Sequence, residues 1–367
     1  MKQLQIIIFL IFSLSVFGQS VTYNHTIDAT DVETKKVMLL FENYLASNPE
    51  KKGKNPYWNK KEQEKHKNYD FLESEFQPSL YMGIPAQVLS IKFKNDSCKI
   101  KVKYSYVKKN GNPHVLAIVN YLAIKENGKF KLYNWLSYSK KKWNRKKVGI
   151  VDFYFPPCHK FNYEKAKKLN NFINEICKNF SVQPKPFEYY LANNYDEIQK
   201  LKGFDYYIGM GEQSMPSGKA TDDKVYCGGL GEYYPHEVFH LQIDEHFKNK
   251  HFWVSEGIAT LLGGSRGKSL HWHIKRTNLY LQKHPEIDLN NMLKLTNLDN
   301  QTSYHYVLGG LIAKKIMDKG GWSLLKDFMS TGTTDKDYYN AIEKYLAVKK
   351  SDINHYIRTQ LKIESKP

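Results

Sequence analysis

The sequence predicts an α+β protein in two units, and three observations lead there. An amphipathic helix precedes a run of alternating apolar and polar residues broken by turn residues, the order expected of a helix followed by an antiparallel meander. Six positive charges then fall between Ser139 and Lys147. Beyond them strand-period and helix-period segments alternate before a long helical stretch closes the chain. A length of 367 residues suits two or three domains at roughly 150 residues each. A hydrophobic share of 41% excludes a disordered or collagen-like chain.

The first segment, residues 1–18, reads as a signal peptide: Lys2 is the positive start, Leu4 to Phe17 is apolar, and Gly18 offers a small residue for cleavage. The apolar run is too short to span a membrane comfortably, so an exported chain, periplasmic or secreted, with no stable membrane insertion is expected. Residues 19–147 form the first unit. Thr30 and Glu33 have the spacing of a capping box, Val37, Leu40, Phe41, Tyr44 and Leu45 form the apolar stripe of the helix, and Asn48-Pro49 stops it. The period then changes to two. Ile100/Val102/Tyr104, Ala117/Val119/Tyr121 and Phe130/Leu132 alternate with polar neighbours, separated by Asn95-Asp96, Asn110 to Pro113 and Asn127-Gly128. The pattern resembles the curved, cone-like sheet of nuclear-transport-factor-like domains, which implies an accessory or spacer domain.

The block Lys140, Lys141, Lys142, Arg145, Lys146 and Lys147 concentrates part of a net charge of +18. No nucleic-acid module accompanies it, so no nucleic-acid partner is expected; it reads as a charged edge strand or linker and as the boundary. The second unit, 148–367, opens with a strand from Val148 to Phe155. A helix through Ala166, Leu169, Phe172, Ile173 and Ile176 follows, then strands over 187–191 and 205–210 with a short helix over 196–201 between them. Four cysteines, Cys98, Cys158, Cys177 and Cys227, make no C-x-x-C pair but leave one or two disulfides open in an oxidising compartment.

Residues 236–240 read His236-Glu237-Val238-Phe239-His240. On a helix, i and i+4 share a face, so both imidazoles can reach one ion, while Glu237 stands off that face as a base for a water. Pro235 suits the first helical position. Two residues compete for third ligand. His246 lies ten residues after His236, but Ile243 stands where a helix-breaking glycine would be needed. Glu256 lies in Trp253-Val254-Ser255-Glu256-Gly257-Ile258-Ala259, sixteen residues after His240.

A His-Glu-x-x-His helix followed by a W-x-x-E-G-x-A helix resembles the gluzincin zinc peptidases, and within them the peptidase MA-like group related to thermolysin. The resemblance covers about 148–367. It implies a mixed sheet with a helical closing segment (Tyr338 to Leu361), one Zn2+ per chain on His236, His240 and Glu256, Glu237 as general base, and a peptide or protein substrate. It also implies a tyrosine that donates to the oxyanion. Tyr306, in Tyr306-Val307-Leu308-Gly309, is the first choice and Tyr304 the second. An edge strand that aligns the substrate is implied too, with Lys224 to Gly229 the candidate. One departure stands out: where thermolysin-like sites carry an acid one turn after the ligand Glu, this chain has Thr260, and Asp244 is the substitute carboxylate. His271, His273 and His305 are secondary candidates. A catalytically silent envelope protein that kept the fold is the alternative, but it would have no need of Glu237.

Overall fold

A computed structural model describes residues 21–47, 55–65, 84–211, 216–221 and 223–366. The signal segment and Asn48-Pro49 lie outside the described residues. The chain divides into two units, residues 1–138 with 202–208, and residues 139–201 with 209–367. Among the described residues no helix is long and apolar enough to cross a membrane.

In the first unit, β1 (Val21–Tyr23) pairs parallel with β2 (Ala86–Lys94). β2, β3 (Ser97–Val107), β4 (Pro113–Glu126) and β5 (Lys129–Tyr133) form an antiparallel meander. Its two-residue turns fall at Asn95-Asp96 and Asn127-Gly128, where Asn95 and Asn127 take positive φ, a conformation asparagine tolerates. Register shifts at Val88/Ser90 and Tyr104/Ser105 mark bulges, which bend and twist strands. Helix α1 (Val32–Ala46) lays Phe41 and Tyr44 against Tyr121, with ring centroids 5.1 and 6.1 Å apart. Its cap differs from the expectation. Asp31, not Thr30, accepts from the Thr34 N–H, while Thr30 donates to Asp28 and Glu33 is held by Lys125. An ionised carboxylate at the N-cap suits the positive helix end better than a hydroxyl. A six-residue helix α2 (Lys60–Lys65) and α3 (Trp135–Ser139) complete the first unit's helices among the described residues.

The second sheet runs β10-β11-β8-β7-β6. Its centre, β7 (Val151–Phe155), β8 (Phe187–Ala192) and β11 (Lys224–Gly228), is parallel, and β6 (Asn144–Val148) and β10 (Ser217–Thr221) run antiparallel at its edges. The second half of the basic block therefore supplies an edge strand, with Arg145 paired to Asp152 at 2.8 Å and Lys146 over the Tyr163 ring, while Lys140–Lys142 form a 3-10 turn before it. The expected single strand over 148–155 is two strands with a turn at Gly149-Ile150. Helix α4 (Tyr163–Phe180) buries the residues its period marked, and α5 (Tyr195–Lys202) follows β8. The remaining helices are α6 (Pro235–Ile243), α7 (Phe252–Gly263), α8 (Leu270–Lys283), α9 (Tyr304–Phe328), α10 (Asp335–Leu346) and α11 (Ile353–Glu364). One apolar core joins this sheet to these helices.

Three expectations need correction. The boundary lies after Tyr138 rather than Lys147, because Arg145, Lys146 and Lys147 belong to β6 of the second sheet and Lys140–Lys142 form the short 3-10 turn just before it. The strand expected at 205–210 is β9 (Phe204–Tyr207), and it joins the first sheet, antiparallel to β4. A four-residue apolar strand carries nothing that names its sheet. All four cysteines are free, three of them buried, so no disulfide forms. Both sheets are mixed, and with their helices they are compatible with the α+β class.

Candidate metal centre

Helix α6 starts where Pro235 occupies the first turn, its missing N–H costing nothing there. Val238, Phe239, Leu241 and Ile243 are buried in the core. That burial fixes the rotation of α6 and turns His236 and His240 together toward α7. Two glycines bring the helices close. A Cβ on Gly263 would stand 2.6 Å from the His236 backbone nitrogen, and one on Gly257 would stand 2.4 Å from the Gly309 carbonyl carbon. The start of α6, the whole of α7 and the first turns of α9 are thus packed backbone to backbone.

This packing brings three predicted ligands together. Glu256 Oε2 lies 3.2 Å from His236 Nε2 and 3.4 Å from His240 Nε2, and the two Nε2 atoms are 3.3 Å apart. The ligand atoms all fall within 4.8 Å of one another. Both rings are anchored from behind. His236 Nδ1 donates to the Gly264 carbonyl at 2.7 Å, and His240 Nδ1 donates to Asp244 Oδ2 at 3.0 Å. Those donations put the ring proton on Nδ1 and leave each Nε2 lone pair facing the cluster, the tautomer a metal requires. Asp244 is itself held by Ser255 Oγ at 2.7 Å, and Lys250 donates to the Asp244 and Phe247 carbonyls.

Electrostatically the cluster favours positive charge. Burial opposes the imidazolium of His240, but hydrogen bonds to Asp244 and Glu256 and their charges outweigh it and push His240 up to about 10. Burial likewise opposes ionisation of Glu256, yet the two imidazoles hold its carboxyl well below the usual carboxylate range. Asp244 is lowered in the same way, against its burial, by His240 and Ser255. A proton on His240 or a divalent cation can supply that charge, and a cation would displace the proton. Two imidazole nitrogens and one carboxylate oxygen at this spacing fit zinc, which prefers N and O donors and leaves a fourth position to water in catalytic sites.

Glu237 stands beside the cluster. Its Oε2 accepts from the Ala220 N–H of β10 at 2.8 Å, and among the described residues nothing holds Oε1. The two tyrosine candidates separate cleanly. Tyr306 packs its ring 5.5 Å from His236, whereas Tyr304 is buried on another face of α9. Residues i and i+2 of a helix do not share a face. Burial, with the Glu256 and Glu237 charges, pushes the Tyr306 phenol up to about 12.

The other candidates stand elsewhere. His246 is exposed on a short 3-10 turn over Asp244–His246, beside Glu245, because α6 ends at Ile243 instead of continuing. His271 is exposed. His273 is buried with both nitrogens bonded, to Thr302 at 3.0 Å and the Ser265 carbonyl at 3.1 Å, so it is a core residue rather than a surface one. His305 packs on Tyr306 and Phe252. Thr260 is buried, its hydroxyl unpartnered among the described residues, and the orienting role expected at that position falls to the Gly264 carbonyl four residues on. No side-chain pattern announces a backbone carbonyl. Ser255, directly before Glu256, was open to discovery as the residue facing the first helix. Lys224–Gly228 is one strand in from the edge; the edge strand is β10, which runs beside Glu237.

No protein-family model matches the chain, and no curated protein matches it.

Proposed function

We propose that this chain is an exported zinc-dependent peptidase of gluzincin type, with His236, His240 and Glu256 as metal ligands and Glu237 as general base. The observation that carries the reading is the convergence of those three ligand atoms from two helices, with both imidazoles anchored through Nδ1. Zinc bound there would lower the pKa of a coordinated water to about 7 and polarise the scissile carbonyl.

The chain's own groups account for the rest. The Ala220 N–H fixes Glu237 through Oε2, so Oε1 is presented to take a proton from the attacking water and pass it to the leaving nitrogen. Tyr306 remains protonated at neutral pH, beside His236, and can donate to the oxygen that gains charge. The outer side of β10, an edge strand, offers main-chain groups to an extended peptide. The apolar segment at residues 4–17 supports export.

The test is metal analysis joined to peptide cleavage. Purified protein should carry close to one zinc per chain and cleave peptides in a chelator-sensitive way. Glu237→Gln should keep the metal and lose turnover, and His236→Ala or Glu256→Ala should lose both. A protein that refuses added zinc, or a Glu237→Gln variant with parental turnover, overturns the reading. Normal zinc binding by Glu256→Ala but not His246→Ala would move the third ligand to His246.

A further inference from the structure

The chain contains 51 lysines and four arginines, since Lys and Arg together number 55. Arginine is therefore the exception, and three of the four have an evident structural use. Arg145 pairs with Asp152, Arg276 pairs with Asp299, and Arg358 gathers the carbonyls of Leu281, His284 and Ile287. The fourth, Arg266, does not fit that pattern.

Arg266 and Gly267 are the two central residues of a tight hairpin closed by paired hydrogen bonds between Ser265 and Lys268, both 2.9 Å. Both central residues have positive φ, +50° and +74°. The first position of such a turn favours Asn, Asp or Gly, and a long side chain there is conformationally disfavoured. The other non-glycine residues at positive φ have local reasons: Asn95 and Asn127 are turn asparagines, and Ser181 and Ala347 terminate helices. A residue that breaks a local rule without a packing return is a candidate for function.

The hairpin's position supplies the function. It begins one residue after Gly264, whose carbonyl orients His236. The Arg266 charge lies within electrostatic reach of Tyr306 and His305, the two residues of α9 beside the cluster. The residue is half-buried, but its guanidinium lies at an exposed position and donates to one neutral group, the Asn300 carbonyl; among the described residues it has no carboxylate partner. A guanidinium has five donors in a planar fork that matches a carboxylate, so most of its capacity remains for a ligand.

We infer that Arg266 is a specificity residue that anchors a carboxylate of the substrate, so that the site favours peptides carrying a free C-terminal carboxylate or an Asp or Glu side chain near the cleaved bond. The inference rests on the peptide-site reading of the His236/His240/Glu256 cluster.

The test uses one labelled, alanine-rich hexapeptide in four forms: free acid, C-terminal amide, and the amide with an internal Glu or an internal Gln. Zinc-loaded parent protein should favour carboxylate-bearing forms over their neutral counterparts by about 10- to 100-fold in kcat/KM, expressed mainly in KM. Acid against amide reads the terminal source of the carboxylate, and Glu against Gln reads the side-chain source. Arg266→Gln should bring the ratio close to one, and Arg266→Lys should restore part of it. The same four peptides are titrated against full-length Glu237→Gln protein, with and without Arg266→Gln. A carboxylate preference that depends on Arg266 in binding, with no cleavage by the parent, would sink the peptidase reading and leave this inference standing. Equal affinity for charged and neutral forms, a preference that survives Arg266→Gln, or binding of none of the peptides overturns it.

Discussion

Replacing Gly257 with alanine should damage stability and metal binding together, because this glycine sits where α7 crosses α9 and directly follows Glu256. The added Cβ would stand 2.4 Å from the Gly309 carbonyl carbon, 2.5 Å from its oxygen and 2.8 Å from its Cα, where ordinary contact begins near 3.4 Å. All three are backbone atoms, so no side chain can swing aside and the helices must part by about 1 Å locally. Overpacking of this kind costs roughly 1–3 kcal/mol. Alanine recovers about 1 kcal/mol through helix propensity, which leaves a net loss of up to about 2 kcal/mol. For a unit of this size that is a fall in Tm of up to about 8 °C. Metal–ligand distances hold to within about 0.2 Å, so a shift of the helix that carries Glu256 should lower zinc affinity by about tenfold or more, as loss of a ligand's support does. The assay is thermal melting with and without zinc, followed by competition with a chromogenic chelator. Gly310→Ala is the control: its Cβ would meet the tip of the Leu270 side chain at 2.7 Å, which can rotate away. A Gly257→Ala protein that melts with the parent and holds zinc as tightly would refute the reasoning.

The metal-free protein should show opposed pH limbs. The stabilisation from His240, raised to about 10, is complete below its ordinary value of about 6.5 and is lost as pH climbs through the raised one. Asp244 and Glu256 are lowered, so their contribution is present above about 4.5 and is lost as pH falls. Melting curves from pH 3 to 11 should therefore be highest near mildly acidic pH, and Asp244→Asn should flatten the alkaline limb; an unchanged limb contradicts the assignment. Asp244→Ala should weaken zinc binding about 10- to 100-fold, read by chelator competition. Tyr306→Phe should lower kcat by about 10²–10³ while Tyr304→Phe leaves it near parental, and equal effects would remove the oxyanion role from Tyr306. A thiol reagent should find one reactive cysteine in native protein, Cys158, and four in denaturant, because burial shields the others and pushes Cys98 and Cys227 up to about 12 and Cys177 up to about 11; fewer than four in denaturant would mean a disulfide.

What the sequence made legible is what local chemistry determines. Asn-Gly and Asn-Asp turns marked the meander, and apolar periods marked α1 and α4. The i, i+4 histidines and the following Trp-Val-Ser-Glu-Gly segment marked the residues that converge. Features set by distant packing were not legible. Nothing local distinguishes Tyr304 from Tyr306; the rotation of α9, fixed by its core face, turns one ring inward and the other onto His236. The orienting partner of His236 is a main-chain oxygen, which every residue possesses. β9 reads as a strand, but only its register with Ala117 to Val119 assigns its sheet.

The placement of β9 has a consequence for synthesis. The first sheet takes its last strand from residues 204–207, so translation must cross residues 139–201 before that sheet can close. At ribosomal rates of ~5–20 residues per second that interval is about 3–13 s. During it the Ala117–Val119 backbone of β4 stands bare along one side, a template for pairing with any extended chain nearby. A fragment ending at Tyr138 would carry that bare side permanently. The first unit is thus completed by a segment that is synthesised only after the opening part of the second unit.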